Sequence, residues 1–528
     1  MGLADIKARY LRSEPVVVDD LPPTTSSVVC RTAFGLAIEA RREGDSWIFS
    51  DLPTGTHVLE AWTRDRNLLS EELTTVTEQP GDDPVMAFVT SFEEEKADVV
   101  LDWLRALRCT VVQFYDWMER YSAPLPSSED YDDPLGRRLS RSCLQRLVAG
   151  TKALGAVAQA YAPVCAAEPD FASAHSDWLL YRSDGEPQHL GDLLQIMDPG
   201  NPAWQEHWLD GYKAAFGALG FDGLHLDTYG YPRLAMDRTY KPVLIEQAYG
   251  AFIDRVRAAL PSATISFNQV NGVPAECALA TQPSFRYAEV WPPNDCWRHL
   301  EALMSRSAGR HLWAGGALAL YPPVWHGERD GAVRTVALTS AIATVLGAGL
   351  LVLGDDLGAL CHPYYPDHEQ LSRDEAAKIL SWHRFGLRCR DLFRHGEDTS
   401  WYDIGDPNGA VYIEATGHKV SPEPSGGTLF ARIVRTGTTT AISCIDLTGS
   451  ATGAWGEPAT RGQIRQARIR LLVGSARRCR AEVAVLGSGR GRFGQAQLVA
   501  SEHLEGRAVE LCLPIVDGWS VARIEESA

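Results

Sequence analysis

Residues from about 92 to 400 alternate between segments with helical spacing of apolar residues and short, almost wholly apolar runs, and no other feature of the sequence restricts its fold so sharply. EEEKADVVLDWLRAL has the helical pattern and leads into CTVVQFYDW. Helices expected near Leu139 to Leu154, Pro202 to Leu219, Lys241 to Leu260 and Arg373 to Arg390 are interleaved with GAVAQAYAPVC, LLQIMDP, GLHLDTYG, ATISFNQVN, RYAEVWP, HLWAGGALA and GLLVLGDD. Runs this apolar suit strands buried on both faces, as in a parallel sheet covered by its crossover helices. Eight such strands in roughly 300 residues is the arithmetic of an α/β fold of the (β/α)8 TIM barrel type, with a doubly wound sheet as the next choice.

Outside that region the helical spacing disappears. SVVCRTAFGLAIEA, SWIFSDLPTGTHVLEAWTRD and PVMAFVTSF before it, and GAVYIEAT, GTLFARIVRT, TTAISCIDLTG, QARIRLLVG, RAEVAVLG and AVELCLPIV after it, read as short strands between turn signals. The expected layout is a small antiparallel β-sandwich over residues 1–92, the barrel over 93–400 and a second β-sandwich over 401–528. GSGRGRFG from Gly487 lacks the Lys-Ser/Thr ending and following helix of a phosphate loop, and reads as a hairpin turn.

Composition narrows the partners. A formal charge of −18 repels phosphate backbones and anionic lipid, so neither nucleic acid nor a membrane is expected, and a neutral or cationic ligand fits better. The most apolar stretch, residues 335–354, reads as a buried helix followed by a buried strand rather than a membrane span. The 11 cysteines are spread singly with no CxxC pair, which argues against a disulfide framework and a zinc site. Charged residues Asp5, Lys7, Arg9, Arg12 and Glu14 with no apolar run behind them lead to the expectation of a cytoplasmic protein, or a secreted one if a leader is missing from this start. Oligomeric state is not readable.

In a (β/α)8 barrel, function is built at the C-terminal ends of the strands. Polar and aromatic residues at the ends of the expected strands are Tyr115, Asp116 and Trp117, then Asp198, Asp227 and Tyr229, Asn268 and Asn271, Glu289 and Trp291, and Asp355 and Asp356. Such a carboxylate-rich, aromatic-lined mouth suits glycoside cleavage, in which one carboxylate attacks or stabilises the anomeric carbon while a protonated one supports the departing oxygen, with no cofactor. Asp227 and Glu289 are the two candidates, against the alternative that a strand-end carboxylate caps a helix or pairs with an arginine. Trp117 and Trp291 would stack on sugar rings, and the remaining residues would bind hydroxyls, with core packing and loop capping as the competing roles. His225 stands at i and i+2 with Asp227, a weak metal-binding pattern. It reads instead as a hydrogen-bond partner of sugar or Asp227, or equally as a core histidine, and no metal is expected.

These motifs resemble glycoside hydrolase family 66, the dextranases and cycloisomaltooligosaccharide glucanotransferases. The resemblance rests on VVQFYDWMERYSAPLP, GFDGLHLDTYG, ISFNQVN, YAEVWP and LGDD in order and spacing. It implies an immunoglobulin-like domain before the barrel and a β-domain after it, with Asp227 as nucleophile and Glu289 as general acid/base. It also implies retaining cleavage of α-1,6-glucosidic bonds of dextran or isomaltooligosaccharides through a glucosyl-enzyme ester. Cyclising members carry a carbohydrate-binding module within the catalytic region, whereas only 67 residues separate Glu289 from Asp356 here, so hydrolysis is expected over cyclisation. A non-catalytic glucan-binding protein is the alternative of a different class.

Overall fold

The computed structural model describes residues 3–228, 230, 234–273, 283–306, 316–404, 406, 408–473, 478–488, 491–503 and 506–527. Its fold is mixed α/β. The middle of the chain supplies parallel strands numbered here in chain order: β1 (Met86–Val89), β2 (Val111–Phe114), β3 (Val157–Pro163), β4 (Gly223–Asp227), β5 (Thr264–Val270), β6 (Phe285–Glu289), β7 (Ala317–Ala319) and β8 (Gly349–Leu351). Each pairs with the next. After Val352 the β8 run resumes as Leu353–Gly354, and there Gly354 pairs with Phe88 of β1 at the opposite end of the sheet. The sheet therefore curls until its last strand touches its first.

Helices lie between the strands: α1 (Ala97–Leu107), α2 (Arg141–Ala153), α3 (Pro202–Leu219), α4 (Ile245–Ala259), α5 (Trp297–Arg306), α6 (Arg329–Val345) and α7 (Arg373–Cys389). Local chemistry sets their limits. Asn201 caps α3 by accepting from Ala203 and Trp204, Pro202 supplies a first-turn residue that needs no donor, and Gly220 ends the helix at φ 81°. Ser372 and Glu375 form a reciprocal capping box on α7. In α1, Val100, Trp103, Leu104 and Leu107 form one buried stripe. They meet Ala87, Val89, Val112 and Phe114 of β1 and β2 in the largest core cluster, whereas the alternate residues Phe88 and Val111 join a separate cluster on the other face of the sheet with Val157, Tyr287 and Leu351. No helix among the described residues is long and apolar enough to cross a membrane.

Two strand assignments differ from the sequence reading. LLQIMDP, expected as the third barrel strand, contributes Leu194–Ile196 to a separate three-stranded sheet with Ala166–Ala167 and His189–Leu190. PVMAFVTSF, expected to close the first sandwich, contributes β1. The count of eight survives because the two errors cancel. HLWAGGALA lies mostly outside the described residues, and its end is β7.

Before β1, a five-stranded and a three-stranded sheet share one core, with Val28, Cys30 and Leu59 from the first and Val16, Trp47 and Phe49 from the second. After α7, a seven-stranded and a four-stranded sheet do the same. Trp519–Ser527, absent from the expected strands, lies between two long partners in the larger sheet.

Candidate active site

The register of β4, β5 and β6 brings three strand-end side chains together. Leu226 pairs with Phe267, which sets Asp227 level with Asn268; Asn268 pairs with Tyr287, which sets Glu289 one pleat further along. All three side chains therefore leave the same face of the sheet. The Asn268 amide nitrogen donates to Asp227 Oδ1 at 2.7 Å and to Glu289 Oε2 at 3.0 Å. Those two carboxylate oxygens can be at most about 5.7 Å apart, and roughly 5 Å at the ~120° fork of a planar amide.

The carboxylates differ in their remaining partners. Asp227 also accepts from the Thr228 backbone at 2.9 Å and from the Tyr161 hydroxyl at 2.7 Å, while the other oxygen of Glu289 accepts a short bond from Tyr321. Burial, then the charge of Glu289, pushes the Asp227 carboxyl up to about 6 against the pull of its three donors.

Around the pair stands an aromatic wall. Tyr115 is half-buried and stacks on Tyr365 with ring centres 4.3 Å apart, its hydroxyl reaching the Pro363 carbonyl, and Tyr365 meets the Tyr287 hydroxyl at 2.9 Å. Trp291 is 37% exposed and faces Tyr321 edge-on. Both line a cavity of about 420 Å³ beside Glu289 whose far wall is Trp455, tied to the Asn294 and Asp295 carbonyls from the C-terminal region. On the expectation that Trp291 stacks on a sugar ring, Trp291→Ala should raise KM about tenfold on oligosaccharides long enough to enter this cavity, for a loss of ~1–1.5 kcal/mol of stacking, with little change on a short aryl glycoside. Equal KM increases on both substrates would show that the ring supports the fold of the mouth instead.

Asp116 lies two residues past β2, at φ 44°, and is buried. Burial pushes its carboxyl up to about 7, opposed by Arg137, and its Oδ1 has no hydrogen-bond partner among the described residues. Arg137 pairs with Asp133 at 2.7 Å and donates to the Thr90 and Asp116 carbonyls, so it fixes the loop that carries this oxygen.

Several other expected site residues are engaged by their neighbours. Trp117 is fully buried, donates to the Tyr161 carbonyl and packs on Phe221 and Tyr212, so it offers no face to a ligand. His225 is buried, its Nδ1 is engaged with Ser266 and burial lowers its pKa to about 3, features that match the core-histidine reading of the two expected. Asp198 accepts from Gly200 in the turn that leads into α3 and ends no strand of the central sheet. Asn271, at φ 54°, accepts from the Trp291 backbone and donates its own N–H to the Glu289 carbonyl, so it braces the Glu289 segment. Asp356 is half-buried, and its carbonyl accepts from Gln370. Tyr229 lies outside the described residues.

Asp355 is a clasp. Its carboxylate accepts from the Thr90 and Ser91 backbones at 2.8 and 3.2 Å and from the Thr90 hydroxyl at 2.5 Å, joining the end of the β8 run to the end of β1. Asp355→Ala strands three donors in a buried place and should cost about 2–4 kcal/mol in urea unfolding, with Asp355→Asn closer to the parent because an amide keeps the backbone bonds. A loss under ~1 kcal/mol in the alanine variant would remove this role.

Tyr161, Tyr321 and Tyr365 escaped the sequence reading. Tyr161 stands two residues before the end of β3 and Tyr321 two residues past β7, so a search widened slightly around the strand ends could have found them. Tyr365 begins a short 3-10 helix and Trp455 sits in a turn, neither carrying a periodic signal.

The sequence model of glycosyl hydrolase family 66 matches residues 65–520. A cycloisomaltooligosaccharide glucanotransferase of Niallia circulans is 24% identical over 213 residues, 36% of this chain and 22% of that protein. A dextranase of Streptococcus salivarius is 24% identical over 215 residues, 36% of this chain and 26% of that protein. The matched stretches thus span about a quarter of those relatives. The solved structure of a Paenibacillus cycloisomaltooligosaccharide glucanotransferase with cycloisomaltoheptaose superimposes at a TM-score of 0.79, 16% identity and 98% coverage of both chains. An α-amylase from Geobacillus thermoleovorans with acarbose follows at 0.53, 11% identity, 85% of this chain and 100% of the other. At these identities the structural likeness is one of fold.

Proposed function

The chain belongs to glycosyl hydrolase family 66, and from that premise we propose that it is a retaining glycoside hydrolase cleaving α-1,6-glucosidic bonds of dextran or isomaltooligosaccharides. We read the curled sheet as a (β/α)8 barrel closed by the Gly354–Phe88 pairing, with an immunoglobulin-like sandwich before it and a β-sandwich after it. Of the expected divisions 1–92, 93–400 and 401–528, we draw the first ahead of Met86, since that strand pairs in the central sheet.

The observation that carries the mechanism is the single Asn268 amide holding both carboxylates. Retention needs carboxyl groups about 5–5.5 Å apart, because one must attack where the other protonates; an inverting pair leaves room for a water at roughly 6.5–9.5 Å. Asp227 attacks the anomeric carbon as Glu289 gives its proton to the departing glycosidic oxygen, forming a glucosyl ester. Glu289 then takes a proton from the incoming acceptor as the ester breaks. Tyr161 and Thr228 hold the nucleophile, Tyr321 holds the acid, and Asp116 Oδ1 is free to accept from a sugar hydroxyl.

Incubation with dextran, followed by early-time NMR of the new reducing ends, tests this: α-anomers should appear first. β-Anomers first would make the enzyme inverting, and no new ends would leave a glucan-binding protein. A second reading, intramolecular transfer, is favoured by relatives named as glucanotransferases. Loss of dextran into cyclic products without reducing ends would establish it.

A further inference from the structure

Five arginines from three parts of the chain converge on a second cavity, of about 520 Å³. Arg31 comes from the N-terminal sheet, Arg388 from the last turn of α7, and Arg480, Arg492 and Arg523 from the C-terminal region. In a chain of formal charge −18 this is an unusual concentration of arginines.

Part of it is structural. Arg31 pairs with Glu60 at 2.8 Å, Arg388 with Glu71 at 3.1 Å and Arg480 with Glu482 at 2.6 Å, while Arg492 closes tightly on Glu71 and Arg523 on Glu482. These pairs tie the N-terminal sheet, α7 and the C-terminal sheet to one another. Yet five guanidiniums share three carboxylates, and the balance stays positive even when Glu525, opposite Arg480 across the strand pair, is counted. Interface glue alone would be neutral, since unbalanced like charges repel across so small a space. Burial, with Arg480 adding, pushes Arg523 down to about 10 against the pull of Glu525.

Two members are also seated on rings: Arg492 lies over the Trp62 ring at 5.6 Å and Arg523 over Phe493 at 4.8 Å, contacts that orient guanidiniums already paired with Glu71 and Glu482. Arg31 and Arg480 keep 48% and 65% of their side-chain surface exposed at the mouth and can turn toward a ligand. The size is that of a small-molecule site, and the fork of a guanidinium matches tetrahedral oxyanions bidentately.

We propose that this cavity binds the phosphoryl group of a small phosphorylated metabolite, with Arg31 and Arg480 closing on it from the two flanking sheets. The site is separate from the proposed glycosidase chemistry and stands or falls without it. Because the ligand would touch three parts of the chain, its binding also stabilises their arrangement.

Calorimetric titration of the full chain with inorganic pyrophosphate, at ionic strength held constant with sodium chloride, is the test, with succinate as a parallel dianion. The expected result is saturable one-to-one binding of pyrophosphate, at least tenfold weaker binding of succinate, and a Tm that climbs with the logarithm of pyrophosphate concentration. Arg31→Ala with Arg480→Ala should weaken pyrophosphate at least tenfold while the far-UV circular dichroism stays that of the parent. Should the pair fail to fold, Arg480→Ala alone, at the more exposed position, gives the same reading. Absence of saturable heat, succinate binding as tightly as pyrophosphate, or affinity unchanged in the variants overturns the proposal.

Discussion

Asp227→Asn is expected to lower turnover by roughly 10⁵-fold while making the protein more stable above pH 6. The first effect follows from the chemistry: an amide at this position cannot form the glucosyl ester, and loss of a nucleophile typically removes most of an enzyme's acceleration. The second follows from linkage. The carboxyl ionises near its ordinary value of 3.8 in the unfolded chain but is held up to about 6 in the fold by burial and by Glu289. Between those values the folded state binds more protons than the unfolded one, so stability falls as pH rises and stays lower above pH 6. An uncharged residue escapes that penalty, worth about 1–3 kcal/mol at this partly shielded position. Asparagine also fits the bonds, since its oxygen can accept from Thr228 and Asn268 while its nitrogen donates to a rotated Tyr161 hydroxyl. Urea unfolding should show the variant ahead of the parent at pH 8 and equal to it near pH 4. In the parent, kcat/KM should decline about tenfold per unit below pH 6 as Asp227, the proposed nucleophile, becomes protonated. Substantial turnover in the variant would take the nucleophile role from Asp227; a variant less stable than the parent at pH 8 would show that the charge is better compensated than burial implies.

How far such a site could be read in advance depends on where backbone regularity stops. Asp227, Asn268 and Glu289 were legible because they continue three adjacent parallel strands, where alternation and register fix which side chains share a face. One residue beyond a strand, that rule fails. Tyr115 and Trp117 are two apart and would share a face of an extended chain, but Asp116 between them turns into the left-handed region, and Tyr115 faces the mouth while Trp117 enters the core. Asp355 turns in the same way at φ 42°, which sends its carboxylate back to β1 rather than out to a ligand. The aspartates were visible in the sequence, but the φ that decides their use was not. LLQIMDP misled for another reason, since a short apolar run has the same pattern in a central parallel strand as in a small antiparallel excursion, and only the pairing partner differs. The wall formed by Trp455 had no local signal, because it depends on the C-terminal sheets docking beside β6.

Glu289→Gln should separate the two steps of the proposed reaction, with a loss of roughly 10³-fold or more on glucans and far less on activated aryl isomaltosides. The distinction lies in the leaving group. A sugar alkoxide cannot depart without a proton, whereas an aryl oxide of low basicity can, so formation of the glucosyl ester should survive on the activated substrate. Glutamine can keep both existing contacts, its oxygen accepting from Asn268 and its nitrogen donating to the Tyr321 oxygen, so the geometry around Asp227 should hold. The ester would then accumulate, because water attacking it must lose a proton and no base remains to take it. Azide needs no deprotonation, and its addition should restore turnover of the aryl substrate by one to two orders of magnitude and yield the α-configured glycosyl azide, the product of two successive inversions at the anomeric carbon. A β-configured azide would instead mean direct displacement of the aryl oxide by azide in a single inversion, with no ester formed on Asp227. Equal losses on both substrate types without rescue would move the acid/base role off Glu289, and Asp356 would be the next carboxylate to test, since Asp355 is consumed by its bonds to Thr90 and Ser91.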